Sequence, residues 1–217
     1  MISIDITKRV TYGLLFIIIM WFSTSLSSIS FHILYVLIFL ICIIEIIKIT
    51  KDKNRILGLT YIVIPMIIIH LFDTQDYNNT LHNEYNNSLL LFIYTLTWTF
   101  DTFAYLFGTR FGRHKLLPSI SPKKSWEGFF GGAFITIITA LLITNMFENL
   151  NQYNTLIISI FLPITATIGD LVASSFKRAA NMKDFGNLIP GHGGVIDRMD
   201  SFMITIPAIY LYIQIIA

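Results

Sequence analysis

Seven apolar segments alternate with short polar islands along the chain, at roughly 10–24, 29–47, 56–72, 88–107, 128–146, 155–175 and 201–217. Most approach the ~20 residues that an α-helix needs to cross a hydrocarbon layer of ~30 Å. The first is the weakest, because its apolar stretch is short and Ser/Thr follow it. Residues 10–47 together are too long for one crossing and long enough for a tight helical hairpin. The pattern predicts an all-α, polytopic transmembrane helical bundle of about seven spans. It shows no internal repeat and no linker, so 1–217 is expected to be a single integral-membrane domain. Lys8 and Arg9 precede an apolar stretch as in a signal peptide, but no small-residue cleavage site is clear, and the segment reads as the first span.

Composition agrees. The chain of 217 residues is 54% hydrophobic and 13% charged, against about 25% charged in soluble globular proteins. Cys42 is the single cysteine, which excludes an intrachain disulfide.

The charge pattern predicts orientation. All 15 Lys and Arg residues fall at 8–9, 48–55, 108–127 and 176–200, and none falls in the intervening loops 25–28, 73–87 and 147–154. Seven spans alternate with this segregation, so the positive-inside rule places the N-terminus in the cytoplasm and the C-terminus outside. Lys48, Lys51, Lys53 and Arg55 read as topology signals. Glu45, one turn before Lys48, reads as a local ion-pair partner.

Two acids interrupt the apolar runs: Asp101 in "WTFDTFAYLFG" and Asp170 in "TATIGDLVASSFKR". A carboxylate within a span costs a few kcal/mol, so it normally faces protein or water and serves a purpose. Both lie roughly 10 Å below the cytoplasmic ends of their helices. Asp197 and Asp200 enter the last segment from the same side and share a helical face. Four carboxylates can therefore meet in a cytoplasm-facing polar cavity. Protonation, pairing with Lys177, Arg178 or Arg198, or a divalent cation on hard oxygen ligands would each relieve their repulsion. Acids beside lysines favour a metal together with phosphate.

Two polar islands flank these acids. In "FGTRFGRHKLLPSISPKKSWEGFFGG", Gly108 and Gly112 permit a bend and Pro118 and Pro122 stop any helix. Lys123, Lys124 and Ser125 at a helix mouth make a phosphate grip, to which the helix N-terminal amides would add. His114 reads as an ordinary interfacial residue. In "GHGGVIDRMD" (Gly191 to Asp200), Gly193 and Gly194 permit a backbone that crowds a ligand and offers amides to anionic oxygens. His192 can bind phosphate, act as acid or base, or hold the loop shut. His32, His70 and His82 read as structural, and no His–Cys spacing indicates zinc.

The run from Ser174 through Lys177-Arg178, Lys183-Asp184, Gly186, Pro190, His192-Gly193-Gly194, Asp197-Arg198 and Asp200 resembles the signature of the CDP-diacylglycerol synthases, or phosphatidate cytidylyltransferases. The segment "DTFAYLFGTRFGRHKLLPSISPKKSWEGFFGG" resembles the family's upstream pattern, with Ser125 where many members have Thr. The resemblance runs from Asp101 to Asp200, within a catalytic part at 101–217. The N-terminal spans, 1–100, resemble the family only in being hydrophobic. The resemblance implies the reaction of CTP with phosphatidate to give CDP-diacylglycerol and pyrophosphate. It further implies Mg²⁺, with a second cation left open, a homodimer in the bilayer of the inner (plasma) membrane, and no nucleic-acid partner. Asp170 and Asp197 are expected to hold the metal, with Asp200 and Asp101 beside them. Lys177, Arg178 and His192 complete the expected catalytic set. Lys123, Lys124, Ser125, Ser174, Lys183, Asp184, Gly193, Gly194, Arg198 and Asp101 are expected to contact substrates. Another CTP-using lipid kinase, of polyprenol or phytol, and an ion-coupled transporter are the rival readings; the first lacks the full HGG-x-x-DR-x-D run, and the second usually shows inverted repeats.

Overall fold

A computed structural model describes residues 2–51, 53–72, 87–147 and 151–216. The acidic loop 73–86, with His82, lies outside the described residues, as do the side chains of Lys8, Arg9 and Lys53. Among the described residues, seven helices run in chain order: α1 (Ile2–Leu26), α2 (Ser28–Ile49), α3 (Lys53–Leu71), α4 (Ser88–Phe111), α5 (Trp126–Ile143), α6 (Gln152–Ala179) and α7 (Ile196–Ile216). The chain is an all-α membrane protein. Among the described residues, five helices are long and apolar enough to cross a bilayer, namely α2, residues 54–71 of α3, α4, α5 with the 3-10 turn Thr144–Met146, and α6. The expected helical hairpin over 10–47 is present, since α1 and α2 are separated by Ser27 alone. Ser27 caps α2 by accepting the Ser30 N–H at 3.1 Å.

The polar island after α4 is not helical, as its prolines require, but it is ordered: it forms a two-stranded antiparallel hairpin, β1 (Lys115–Leu117) with β2 (Ser121–Ser125). Pro122 is tolerated because a two-stranded sheet is all edge. Glu127, in the first turn of α5, anchors the hairpin base. Its carboxylate accepts the Arg113 and His114 amides at 3.1 and 3.2 Å and meets His114 Nδ1 at 2.6 Å. His114 is thus a local structural partner.

Helices α4 and α5 approach through small residues. A Cβ added at Gly128 would sit 2.6 Å from the Ala104 carbonyl oxygen, and one at Gly132 would sit 2.9 Å from the Ala104 nitrogen. Gly128 and Gly132 lie one turn apart, facing Ala104 and Gly108, which is the small-xxx-small geometry of packed membrane helices. The core lies among α2, α3, α4, α6 and α7, with Phe31, Tyr35, Ile62, Leu90, Phe92 and Tyr94 fully buried. The Tyr35 and Tyr94 hydroxyls hydrogen-bond there. His32 and His70 stack with their Nδ1 atoms 2.6 Å apart, the structural role expected of both.

Candidate functional site

The site is built where α7 begins. The first amides of a helix have no intrahelical partner, and here carboxylates supply one. Gly194 N–H donates to Asp197 Oδ2 at 2.9 Å, Val195 N–H to Glu45 Oε1 at 2.9 Å, and Ile196 N–H to Glu45 Oε2 at 2.9 Å. Phe185 N–H also donates to Asp197 Oδ2, at 2.8 Å. Gly193, at φ 85°, makes the turn possible: a Cβ there would be strained and would lie 2.7 Å from Asp197 Oδ2. The amides of Gly194, Val195 and Ile196 are therefore engaged by the chain's own acids. The remaining oxygen of Asp197, Oδ1, accepts from Lys177 Nζ at 2.8 Å. Both side chains of this pair are nearly buried, at 5% and 10% exposure.

Asp170 lies nine residues before the end of α6, about 13 Å along its axis. Its Oδ1 accepts from Ser174 at 3.2 Å, one turn on, and its Oδ2 meets Lys124 Nζ at 2.5 Å. Lys124 comes from β2, so the hairpin brings a cation over the middle of α6. From α4, Asp101 keeps an open face and accepts from Ser201 Oγ at 3.1 Å. The charges that act on Asp200 are those of Asp170, Lys177, Asp101 and Lys124. Asp101, Asp170 and Asp200, from α4, α6 and α7, thus lie within electrostatic reach of Lys124 and Lys177, and Lys177 links them to Asp197. Tyr61 of α3 braces its floor, donating to the backbone oxygens of Gly169 and Asp200, each at 3.1 Å.

Other expected site residues fall around this patch with different surroundings. Lys123 is exposed on β2. Ser125 is buried and caps α5, its Oγ accepting Gly128 N–H at 3.2 Å. Arg178 ties the end of α6 to the hairpin turn, donating to Ile120 O at 3.3 Å and Met182 O at 3.0 Å. Lys183 is exposed, and Asp184 packs behind Gly193. His192 lies against α1, its ring 3.4 Å from where a Cβ of Gly13 would stand, and its amide donates to Ile189 O at 2.9 Å. Arg198 Nε is buried with no hydrogen-bond partner among the described residues, and the guanidinium acts on Asp101.

Glu45 corrects a sequence expectation. It is not a local partner of Lys48: both of its oxygens accept amides from the start of α7, and it is 5% exposed. The signal was present in "ICIIEIIK", since an acid inside an apolar run needs a buried partner. Tyr61 gave no comparable signal, because a tyrosine in a membrane helix is unremarkable until its hydroxyl finds an acceptor.

The donor set suits a hard cation. Among the described residues no three His, Cys, Asp or Glu side chains form a closed metal cage. Mg²⁺ does not need one, because it binds through one or two carboxylates and completes its shell with water and substrate phosphate oxygens. Asp170 keeps a free lone pair on each oxygen, and Asp197 keeps one on Oδ1.

Comparison with known proteins supplies the context. Residues 56–216 match the model of the cytidylyltransferase family. The phosphatidate cytidylyltransferase of Staphylococcus epidermidis is 47% identical over 120 residues, which is 54% of this chain and 46% of the relative. Those of Staphylococcus haemolyticus and Staphylococcus aureus are 44% identical over 119 residues, with the same coverage. The chain spans about half the length of the curated relatives it matches.

Proposed function

The chain belongs to the cytidylyltransferase family, and from that premise we propose that it makes CDP-diacylglycerol and pyrophosphate from CTP and phosphatidate. The observation that carries this reading is the patch in which Asp170 is paired with Lys124 and Asp197 with Lys177. Such a patch meets both requirements of phosphoryl chemistry, oxygen ligands for a cation and cations for phosphates.

In the proposed reaction a phosphatidate phosphate oxygen forms a bond to the α-phosphorus of CTP. The bond from that phosphorus to the bridging oxygen breaks, and pyrophosphate leaves. Phosphatidate is already ionised at neutral pH, so no general base is required and His192 need not act as one. Mg²⁺, held by Asp170 and Asp197, would neutralise charge on the reacting phosphates. Lys124 and Lys177 turn from their carboxylates to the triphosphate and lipid phosphate. Arg198, with its buried unpartnered Nε, is a further anion contact. Asp101 and Asp200 keep the patch negative and so favour the cation.

The same reading includes a cytoplasmic site and N-terminus, an inner (plasma) membrane location and a homodimer, the last resting on the family resemblance alone. The transporter reading has no comparable support in the family match. Pyrophosphate release from CTP by purified protein in bilayers tests the proposal. Release should require phosphatidate and Mg²⁺. Release that ignores phosphatidate would refute it.

A further inference from the structure

We propose that Glu45 is a positioning residue for the metal-holding carboxylate of Asp197. From the largely apolar α2, it holds the 194–196 turn and through it the carboxylate of Asp197. The inference rests on the reading of Asp197 as a metal-holding group.

Four observations carry it. Glu45 accepts the two successive amides of Val195 and Ile196, each at 2.9 Å, about 150 residues away in sequence. The preceding amide, Gly194, donates to Asp197. Three consecutive N–H groups are thus divided between two carboxylates, and moving one shifts the other. Two glycines are shaped around the Glu45 carboxylate: a Cβ at Gly194 would lie 2.5 Å from Oε2, and one at Gly186 would lie 3.1 Å from Oε1. Finally, among the described residues no ion pair joins Glu45 to a cation; the amides at the positive end of α7 are its direct partners, and Lys48 acts on it only from a distance. An apolar residue would fill this place in α2 more cheaply. A buried carboxylate there implies a task.

Outer partners that orient metal-holding groups typically change metal affinity by about 10- to 100-fold when removed. The test uses the whole chain in lipid nanodiscs, with Mn²⁺ alone as the probe and no substrate present. Glu45→Gln keeps the shape and turns one acceptor into a donor that faces an amide. It should weaken Mn²⁺ binding by about 10- to 100-fold. It should also speed amide hydrogen exchange across 186–198, leaving α4 and α5 unchanged. Gly186→Ala presses on Oε1 from outside and should act in the same direction, less strongly. That variant decides the matter if Glu45→Gln does not fold. Unchanged Mn²⁺ affinity in the folded variants overturns the proposal, even if exchange rises, because Glu45 would then be a structural brace only. No Mn²⁺ binding by the unaltered chain overturns it as well. Mn²⁺ binding that depends on Glu45, in a protein that makes no CDP-diacylglycerol, would refute the proposed reaction and leave this inference standing.

Discussion

The Lys124 ammonium lies 2.5 Å from Oδ2 of Asp170, joining β2 to the middle of α6. A residue expected to grip phosphate and one expected to hold a cation neutralise each other. Arrival of a metal–triphosphate would separate them, giving the lysine to phosphate and the carboxylate to metal.

This pairing makes a kinetic prediction. Lys124→Gln should lower kcat/KM about ten- to a hundredfold, from the loss of roughly 1.5–3 kcal/mol of charged hydrogen bonding. Asp170→Asn should lower turnover by orders of magnitude in folded protein. The double variant should lose less than the sum, because the residues share a contact. Strictly additive losses would show that the two act independently.

Asp197 and Lys177 should matter to folding as well as to chemistry. Removing one member of a buried ion pair leaves the other uncompensated, at about 3–5 kcal/mol. Asp197→Ala should therefore lower Tm in detergent markedly, since it also orphans the amides of Phe185 and Gly194. Lys123→Gln, on an exposed position, should leave Tm unchanged. Equal thermal shifts in the two variants would contradict the buried pairing.

The α4–α5 contact gives a prediction without chemistry. A methyl group at Gly132 would meet the Ala104 nitrogen at 2.9 Å and the Phe100 oxygen at 3.0 Å, both backbone atoms that cannot swing aside. Gly132→Ala should cost about 1–3 kcal/mol by overpacking. Gly13→Ala in α1 would meet only the His192 ring, at 3.4 Å. It should be neutral or stabilising, because Ala is the better helix former by up to about 1 kcal/mol. Comparing the two unfolding midpoints checks the helix contact.

Much of this arrangement was legible in the sequence. The apolar periods marked the helices, and the rarity of acids within them marked Asp101 and Asp170. The hairpin was not legible. Its two prolines argued only against helix, and its registry depends on Glu127 reaching back to the Arg113 and His114 amides. The partners of Glu45 were not legible either, because they lie about 150 residues away and only the fold brings them together. Ser125 illustrates a different difficulty. The same hydroxyl suits a phosphate or a helix cap, and in the structure it caps α5.

The segregation of all 15 cations to alternate loops predicts a cytoplasmic N-terminus and an external C-terminus. A reporter active only outside the cytoplasm should give signal after Ala217 and near Asn79, and none near Lys115. Signal at Lys115 would overturn the seven-span arrangement expected from the sequence and move the patch to the wrong side for CTP.

The most direct test of the proposed reaction follows the phosphates of CTP. Purified protein in bilayers with phosphatidate and Mg²⁺ is given CTP labelled at either the α- or the γ-phosphorus. Cytidylyl transfer predicts α-label in the lipid fraction and γ-label in pyrophosphate. A lipid kinase would place γ-label in lipid, and a transporter would place neither there. Either of those results would contradict cytidylyl transfer to phosphatidate.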